Sequence, residues 1–169
     1  MNMTRRDIIL KWIAYLVAAW LTAMVNYYVL PSLPIPIPLL LPVLAVAGGT
    51  LEGAPFGAVY GMVCGGLLSG LSSRSALCIA ALSAFGWLSG LITQYVLRRD
   101  VWGHLICSGG MLALWEVWEV GVRLLRGVAP PVVLLRVGAS ELLCSLVFIL
   151  PVYWVGRFCC THYGRIYHE

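Results

Sequence analysis

The stretch Phe56-Gly-Ala-Val-Tyr-Gly-Met-Val-Cys-Gly-Gly-Leu-Leu-Ser-Gly-Leu71 decides the fold, because it is apolar and carries glycine at helical spacing. Glycine recurs four residues apart in two overlapping series, which are Gly57, Gly61 and Gly65, then Gly66 and Gly70. Residues four apart lie on one face of an α-helix. In lipid, small residues on such a face let two helix backbones approach closely. The stretch therefore predicts a membrane-embedded helix that packs tightly against a neighbour.

The next apolar segment, residues 76–97, can supply that neighbour. It contains Gly86 and Gly90, again four residues apart, and only residues 72–75 separate it from the first stretch. So short a connection makes the two segments antiparallel neighbours. We expect them to form the glycine-packed centre of the fold. Packing within the chain is the main interpretation of these faces, and a docking face for another membrane protein is the alternative.

The whole chain has the composition of a membrane protein. Of its 169 residues, 61% are hydrophobic and 11% are charged, and the mean hydropathy is +0.91; soluble domains contain roughly 25% charged residues. A bilayer-crossing helix needs about 20 apolar residues, so little remains for an extramembrane domain. We expect an all-α integral membrane protein with a single domain, residues 1–169, and about six transmembrane helices joined by short loops. The predicted spans are residues 8–30, 39–51, 56–71, 76–97, 102–125 and 131–156.

The first two predicted spans are unusual in length. Residues 8–30 form a longer apolar run than the roughly 7–15 residues of a secretory signal, so we interpret them as a retained span. The proline-rich segment 31–38 follows, and its prolines lack the N–H that helix hydrogen bonds require. The second span is accordingly short, about 20 Å. It is expected either to cross a thinned region of the bilayer or to be shielded by neighbouring helices.

The distribution of basic residues favours a cytoplasmic N-terminus, because cytoplasmic loops of membrane proteins carry an excess of lysine and arginine. In that orientation the inner side carries Arg5, Arg6, Lys11, Arg98, Arg99, Arg157 and Arg165, and the outer side carries Arg74, Arg123, Arg126 and Arg136. Both termini are then predicted to be cytoplasmic.

Charged residues also occur inside the last two predicted spans, and these are Glu116, Glu119, Arg123, Arg136 and Glu141. An ionisable group at membrane depth is costly and is a functional hypothesis by default. Glu119 can pair with Arg123 along the helix or with Arg136 across the hairpin. Glu116 and Glu141 fall near mid-membrane, where two close carboxylates do not readily both ionise. We interpret the set as a polar seam that fixes helix register; a proton or ligand site and a partner-docking site are the alternatives.

Motifs of catalytic, metal or nucleic-acid sites are missing from the sequence. The six cysteines show neither CxxC nor Cys/His metal spacing and are interpreted as reduced packing residues. His104, His162 and His168 are not at ligand spacing on one helix, and each is expected to be solvated or interfacial. There is no phosphate-binding loop and no nucleophile elbow. We therefore expect no enzyme activity, no cofactor, no metal and no nucleic-acid partner.

Three features along residues 42–157 form a pattern. The short second span ends in Gly49-Thr-Leu-Glu-Gly53, the glycine-rich third span is followed by Gly86-Trp-Leu-Ser-Gly90, and the last span ends in Ile149-Leu-Pro-Val-Tyr153 before a short basic tail. This pattern resembles the rod shape-determining membrane protein MreD family of bacteria. Members commonly carry an Asp near the end of the glycine-rich span, where this chain has Ser69 or Gly70. No role for that acid is therefore carried over.

The resemblance implies a non-enzymatic scaffold of the cell-elongation machinery in the bacterial cytoplasmic membrane. Its implied partners are MreC-like proteins, the MreB cytoskeleton and peptidoglycan synthases, besides membrane lipid. No small-molecule ligand is expected.

The alternative is the substrate-binding subunit of an energy-coupling-factor vitamin transporter, which is similar in size and span number. Such subunits use Ala-x-x-x-Ala faces for docking, and the first span contains Ala14 with Ala18 and Ala19 with Ala23. The predicted outer loops of this chain, however, are too short to form a lid over a vitamin site. A buried polar pocket opening outward would favour the transporter subunit, and a packed interior with an exposed small-residue groove would favour the scaffold.

Overall fold

The chain is a multi-pass membrane protein in a computed structural model that describes residues 5–32, 38–72, 76–97, 101–125, 127 and 130–163. Within these described residues the six α-helices are α1 Arg5–Met24, α2 Leu40–Glu52, α3 Ala54–Ser72, α4 Leu77–Tyr95, α5 Val101–Leu125 and α6 Pro131–Tyr163. α1 continues through a π-helical turn, Val25–Val29, and a 3-10 turn, Leu30–Ser32. All except α2 are long and apolar enough to cross a membrane. The expected all-α membrane bundle is confirmed.

Several sequence-based expectations concern positions outside the described residues. These positions are the proline-rich link 33–37, Arg74, the Arg98-Arg99 doublet, Arg126, the side chain of His162, and the tail with Arg165 and His168. The cytoplasmic location of both termini stays a prediction.

α2 lies at the centre of the bundle, with all but one of its 13 residues buried. At 1.5 Å per residue it extends about 20 Å, less than the hydrocarbon layer of about 30 Å. The five longer helices all contact it. Shielding by neighbouring helices, one of the two solutions expected for this short span, is therefore the one that the fold adopts.

The first turn of α2 begins inside the bundle, level with the middle of α6. The backbone N–H of Leu39 donates to the hydroxyl of the fully buried Ser145 at 2.8 Å. That hydroxyl in turn donates to the carbonyl of Glu141 at 2.7 Å. A helix start leaves N–H groups without intrahelical partners, and water does not reach them at membrane depth. Ser145 thus supplies an acceptor that a short internal helix requires.

A single residue, Gly53, connects α2 to α3. Its φ of +110° lies in a region that other residues rarely adopt. Its N–H donates to the carbonyl of Gly49 at 2.9 Å, and its carbonyl accepts from the N–H of Gly57 at 3.0 Å. The chain therefore reverses within one residue. α3 then packs antiparallel to α2, so that Gly48 faces the ring of Tyr60.

Candidate functional site

The predicted glycine faces form the contact between α3 and α4. The close backbone approaches are Gly57 with Gly86, Gly61 with Leu82, Gly65 with Ile79, and Gly90 with Ala54. As the residue number on α3 increases, the number of its partner on α4 decreases. The two helices are therefore antiparallel. A β-carbon at Gly65 would lie 2.6 Å from the Cα of Ile79, and at Gly57 it would collide with the carbonyl of Gly86.

Gly66 and Gly70, the second glycine series of α3, lie elsewhere. A β-carbon at either position would meet no described atom within 4 Å. Gly66 follows Gly65 directly, so it points about 100° away around the helix. The second series is thus not part of the α3–α4 contact.

The outer side of the α3–α4 hairpin carries a shallow groove with a volume of about 660 Å³. Small side chains line it, among them Ala58, Ala80 and Ala84. The larger Met62 and Trp87 lie beside them, and both are half exposed. The groove is almost wholly apolar. We call it the hairpin groove.

The charged residues of α5 and α6 are distributed over several environments. Arg123 donates to Glu119 Oε2 at 2.7 Å, and both side chains are partly exposed. Arg136 lies on the exposed side of α6. Of the two pairs predicted for Glu119, the structure contains the one with Arg123.

Glu116 and Glu141 lie deeper than that pair. Glu116 is buried, and its Oε2 lies 3.0 Å from where a β-carbon of Gly138 would stand. Glu141 is half-buried and lies three residues beyond Gly138 on α6. Glu116 therefore lies where α5 and α6 meet, and Glu141 follows Gly138 by about one turn of α6. Their mutual contact, and the seam as a whole, stay predictions.

A buried ion pair that the sequence did not predict lies between α1 and α2. Lys11 Nζ lies 2.6 Å from Glu52 Oε1, and both side chains are fully buried. The hydroxyl of Tyr15 donates to the same carboxylate oxygen at 3.1 Å and lies 3.3 Å from the carbonyl oxygen of Gly156. Three helices thus meet at the hydroxyl of Tyr15, which is on α1 and contacts Glu52 of α2 and Gly156 of α6. We call Lys11, Tyr15 and Glu52 the polar triad.

Aromatic rings enclose the polar triad. The ring of Tyr15 packs edge-on against Phe56 at 4.9 Å and against Tyr60 at 5.2 Å between centroids. The hydroxyl of Tyr60 donates to the backbone carbonyl of Tyr15 at 3.0 Å. The ring of Trp12 also packs against Phe56, with 4.5 Å between centroids. This packing excludes water. In such a low-dielectric surrounding, loss of either Lys11 or Glu52 would leave a buried charge without compensation.

A second buried polar cluster surrounds His104, which overturns the expectation that this residue is interfacial. His104 is only 2% exposed. Its Nδ1 lies 2.8 Å from Thr50 Oγ1, and its Nε2 lies 3.2 Å from Ser108 Oγ. The ring of Tyr153 stands 4.8 Å away. The reason is geometric: the first turns of α5 pack against the buried end of α2, so a residue near the helix end is still inside the bundle.

The Thr50 contact also indicates the state of the His104 ring. Thr50 Oγ1 lies 3.1 Å from the carbonyl of Ala47, to which it can only donate. In that arrangement Thr50 Oγ1 can accept from Nδ1–H, and in a neutral ring Nε2 can accept from the hydroxyl of Ser108. This neutral tautomer satisfies both ring nitrogens. The cluster thus ties α2 to α5 by hydrogen bonds, as the polar triad ties α2 to α1.

The described residues offer little for other chemistry. No three His, Cys, Asp or Glu side chains among residues 5–32, 38–72, 76–97, 101–125 and 130–163 are grouped so as to hold a metal ion. All six cysteines are free, and Cys64, Cys107, Cys159 and Cys160 are buried. Both buried polar clusters are held together by hydrogen bonds among their own residues. What they can do is fix the positions of helices.

Comparison of the chain with protein-family models, with curated proteins and with solved structures gave no match in any of the three.

Proposed function

We propose that this chain is a non-enzymatic membrane scaffold of the MreD type, acting in the cell-elongation machinery of the bacterial cytoplasmic membrane. In this role it maintains cell shape during peptidoglycan synthesis through contacts with MreC-like proteins, the MreB cytoskeleton and wall synthases. The proposal rests on the sequence features of residues 42–157 together with the surface that the hairpin groove provides.

The hairpin groove is the observation that carries the proposal. Helices associate in lipid where small residues let their backbones approach, because lipid provides little hydrophobic drive for association. Ala80 and Ala84 lie one turn apart on the exposed face of α4 and present such a surface. Behind them, the contacts of Gly57 and Gly86 hold α3 and α4 together. The occupant that we propose is one transmembrane helix of an MreC-like partner.

The interior of the bundle is less suited to the transporter alternative. A vitamin-binding subunit needs a cavity for its ligand, whereas α2 fills the centre of this bundle with buried apolar side chains. Ala19 and Ala23, one of the two alanine faces of α1, are fully buried against the rest of the chain. That face is therefore not free to dock a coupling subunit.

Affinity purification of the tagged protein from its native cell in mild detergent, followed by mass spectrometry, tests the proposal. We expect MreC-like and wall-synthase proteins in the eluate. Recovery of a transporter coupling subunit with its ATPases would replace the scaffold by the vitamin-uptake function.

A variant pair tests the hairpin groove itself. Ala84→Leu narrows the groove, whereas Ala139→Leu adds the same atoms on the exposed face of α6. Overpacking costs about 1–3 kcal/mol, so Ala84→Leu should lower partner recovery about tenfold. Ala139→Leu should leave recovery at the wild-type level. Equal recovery for the two variants would show that the partner binds elsewhere.

A further inference from the structure

Two exposed arginines of α6 are separated by about the thickness of the hydrocarbon layer. Arg136 and Arg157 are 21 residues apart in the sequence, which corresponds to about 31 Å along a helix. The hydrocarbon layer of a bilayer is about 30 Å thick. Between them, Glu141 is the one charged residue in the sequence. Arginine at each end of such a stretch is typical of the two membrane–water boundaries.

With Arg136 at one boundary, the end of the α5–α6 hairpin extends past the hydrocarbon. Residues 131–135 of α6 add about 7 Å beyond Arg136. This matches the headgroup layer, which is about 5–7 Å thick on each side of the hydrocarbon. We call residues 124–125 and 131–135 the α5–α6 tip.

The α5–α6 tip is apolar, and all of its side chains except the buried Leu134 are exposed. Leu125 is 90% exposed and Val132 is 74% exposed. Val133 and Leu135 are also more than half exposed. Apolar side chains next to the hydrocarbon are favoured within the headgroup layer but not in open water. Because the tip extends beyond Arg136 by about the thickness of the headgroup layer, its apolar side chains are expected to contact lipid rather than a soluble protein domain.

The net positive charge near the tip favours the binding of an anion there. Residues 119–136 contain three arginines and one glutamate, a net charge of +2. Arg123 is neutralised by Glu119 at 2.7 Å. Arg136 is exposed and makes no ion pair with a residue of the described part of the chain. A guanidinium presents paired N–H donors that fit two oxygens of a phosphate.

We propose that the α5–α6 tip lies in the headgroup layer of one leaflet and that Arg136 binds a phospholipid phosphate there, with a preference for anionic headgroups. The apolar tip side chains insert beside the upper acyl carbons, and the guanidinium of Arg136 stands at the level of the phosphates. This site does not depend on the hairpin groove or on the scaffold function.

Native mass spectrometry of the full-length protein in neutral detergent tests the site. The protein is titrated with phosphatidylglycerol or with phosphatidylcholine of the same acyl chains, and the bound lipids are counted. Wild type should bind phosphatidylglycerol more tightly. Arg136→Gln should weaken phosphatidylglycerol binding about fivefold, the effect of one basic residue at an anionic surface. The melting temperature shows whether the exposed substitution leaves the fold intact.

The double variant Glu119→Gln/Arg123→Gln is the matched control, because it removes a charge pair at the same end of the bundle without changing net charge. It should bind phosphatidylglycerol within twofold of wild type. Equal binding of the two lipids by wild type, or unchanged phosphatidylglycerol binding by Arg136→Gln, would overturn the proposal. So would displacement of the lipid by inorganic phosphate, which indicates a free-anion site. If Arg136→Gln binds phosphatidylglycerol as wild type does but no longer co-purifies with a protein that wild type retains, the tip is a protein-docking surface instead.

Discussion

Lys11 Nζ lies 2.6 Å from Glu52 Oε1, with both side chains fully buried, so that α1 is joined to the central helix by an ion pair inside the bundle. Lys11 comes two turns into α1, and Glu52 is the last residue of α2. A carboxylate at a helix C-terminus faces the negative end of the helix dipole. Lys11 and the hydroxyl of Tyr15 offset that repulsion. The polar triad thus sets the position of α1 against α2.

Removing one charge of this pair should be far worse than removing both. Lys11→Met or Glu52→Met leaves the other ion without its charge partner, at a cost of about 3–5 kcal/mol. The double variant Lys11→Met/Glu52→Met should be less destabilised than either single variant. Unfolding in mixed micelles, followed by helical circular dichroism, measures these differences. Arg6→Met, an exposed neutralisation on the same helix, should change stability by at most about 0.5 kcal/mol. Strict additivity in the double variant would show that the pair is not coupled.

Ser145→Ala should destabilise the bundle through the start of α2. The substitution leaves the buried N–H of Leu39 without its acceptor, and an unsatisfied buried donor costs about 1–3 kcal/mol. Ser140→Ala removes a hydroxyl that bonds only the carbonyl of Val137 in its own helix. It should therefore be nearly neutral. The same unfolding experiment compares the two, and equal stabilities would argue against the capping role of Ser145.

Gly57→Ala and Gly66→Ala should change stability in opposite directions. The methyl group at Gly57 collides with the backbone of Gly86, whereas the one at Gly66 meets no described atom. Overpacking at Gly57 is expected to cost about 1–3 kcal/mol. At Gly66, alanine has the better helix propensity, by up to about 1 kcal/mol. Melting temperatures in detergent give both values. Destabilisation of similar size at the two positions would contradict the glycine contacts of the hairpin.

Thr50→Val should weaken the tie between α2 and α5. Valine keeps the shape of threonine but removes the acceptor of His104 Nδ1–H, which lies 2.8 Å away. A loss of about 1–2 kcal/mol is expected. Thr161→Val is the control, because the exposed Thr161 hydroxyl bonds only carbonyls of its own helix. In ¹⁵N NMR spectra of labelled histidine, Thr50→Val should also shift the ring signals of His104. Unchanged signals would mean that Thr50 and His104 do not share a hydrogen bond.

The membrane bundle and the α3–α4 contact could be predicted from the sequence because they depend on local information. A four-residue glycine spacing defines a helix face wherever the helix lies. The short turn at residues 72–75 makes the two helices antiparallel neighbours. These two facts suffice to predict that the glycine face of α3 packs against α4, although not the exact register. They do not show that Gly66 and Gly70 lack a packing neighbour among the described residues, since that depends on which other helices pack around α3.

The polar triad could not be predicted because its residues are distant in the sequence. Lys11 and Glu52 are 41 positions apart, and their contact requires the place of α2 between α1 and α6. From the sequence, Lys11 was interpreted as one of the basic residues on the inner side, and Glu52 as part of the stretch that ends the second span. Glu52 offered one available signal, since a carboxylate that ends an apolar helix without an adjacent cation needs a partner from elsewhere. The pairing of Thr50 with His104 was hidden for the same reason.

The central position of α2 also has a consequence for how the protein is made. Thirteen residues are too few to enter a bilayer as an independent segment during synthesis, and in the finished fold α2 touches almost no lipid. Gly53 joins α2 to α3 with no intervening loop, so we expect the two helices to enter the membrane together as a hairpin. The core of this protein is therefore assembled from a segment that the insertion machinery cannot recognise by itself.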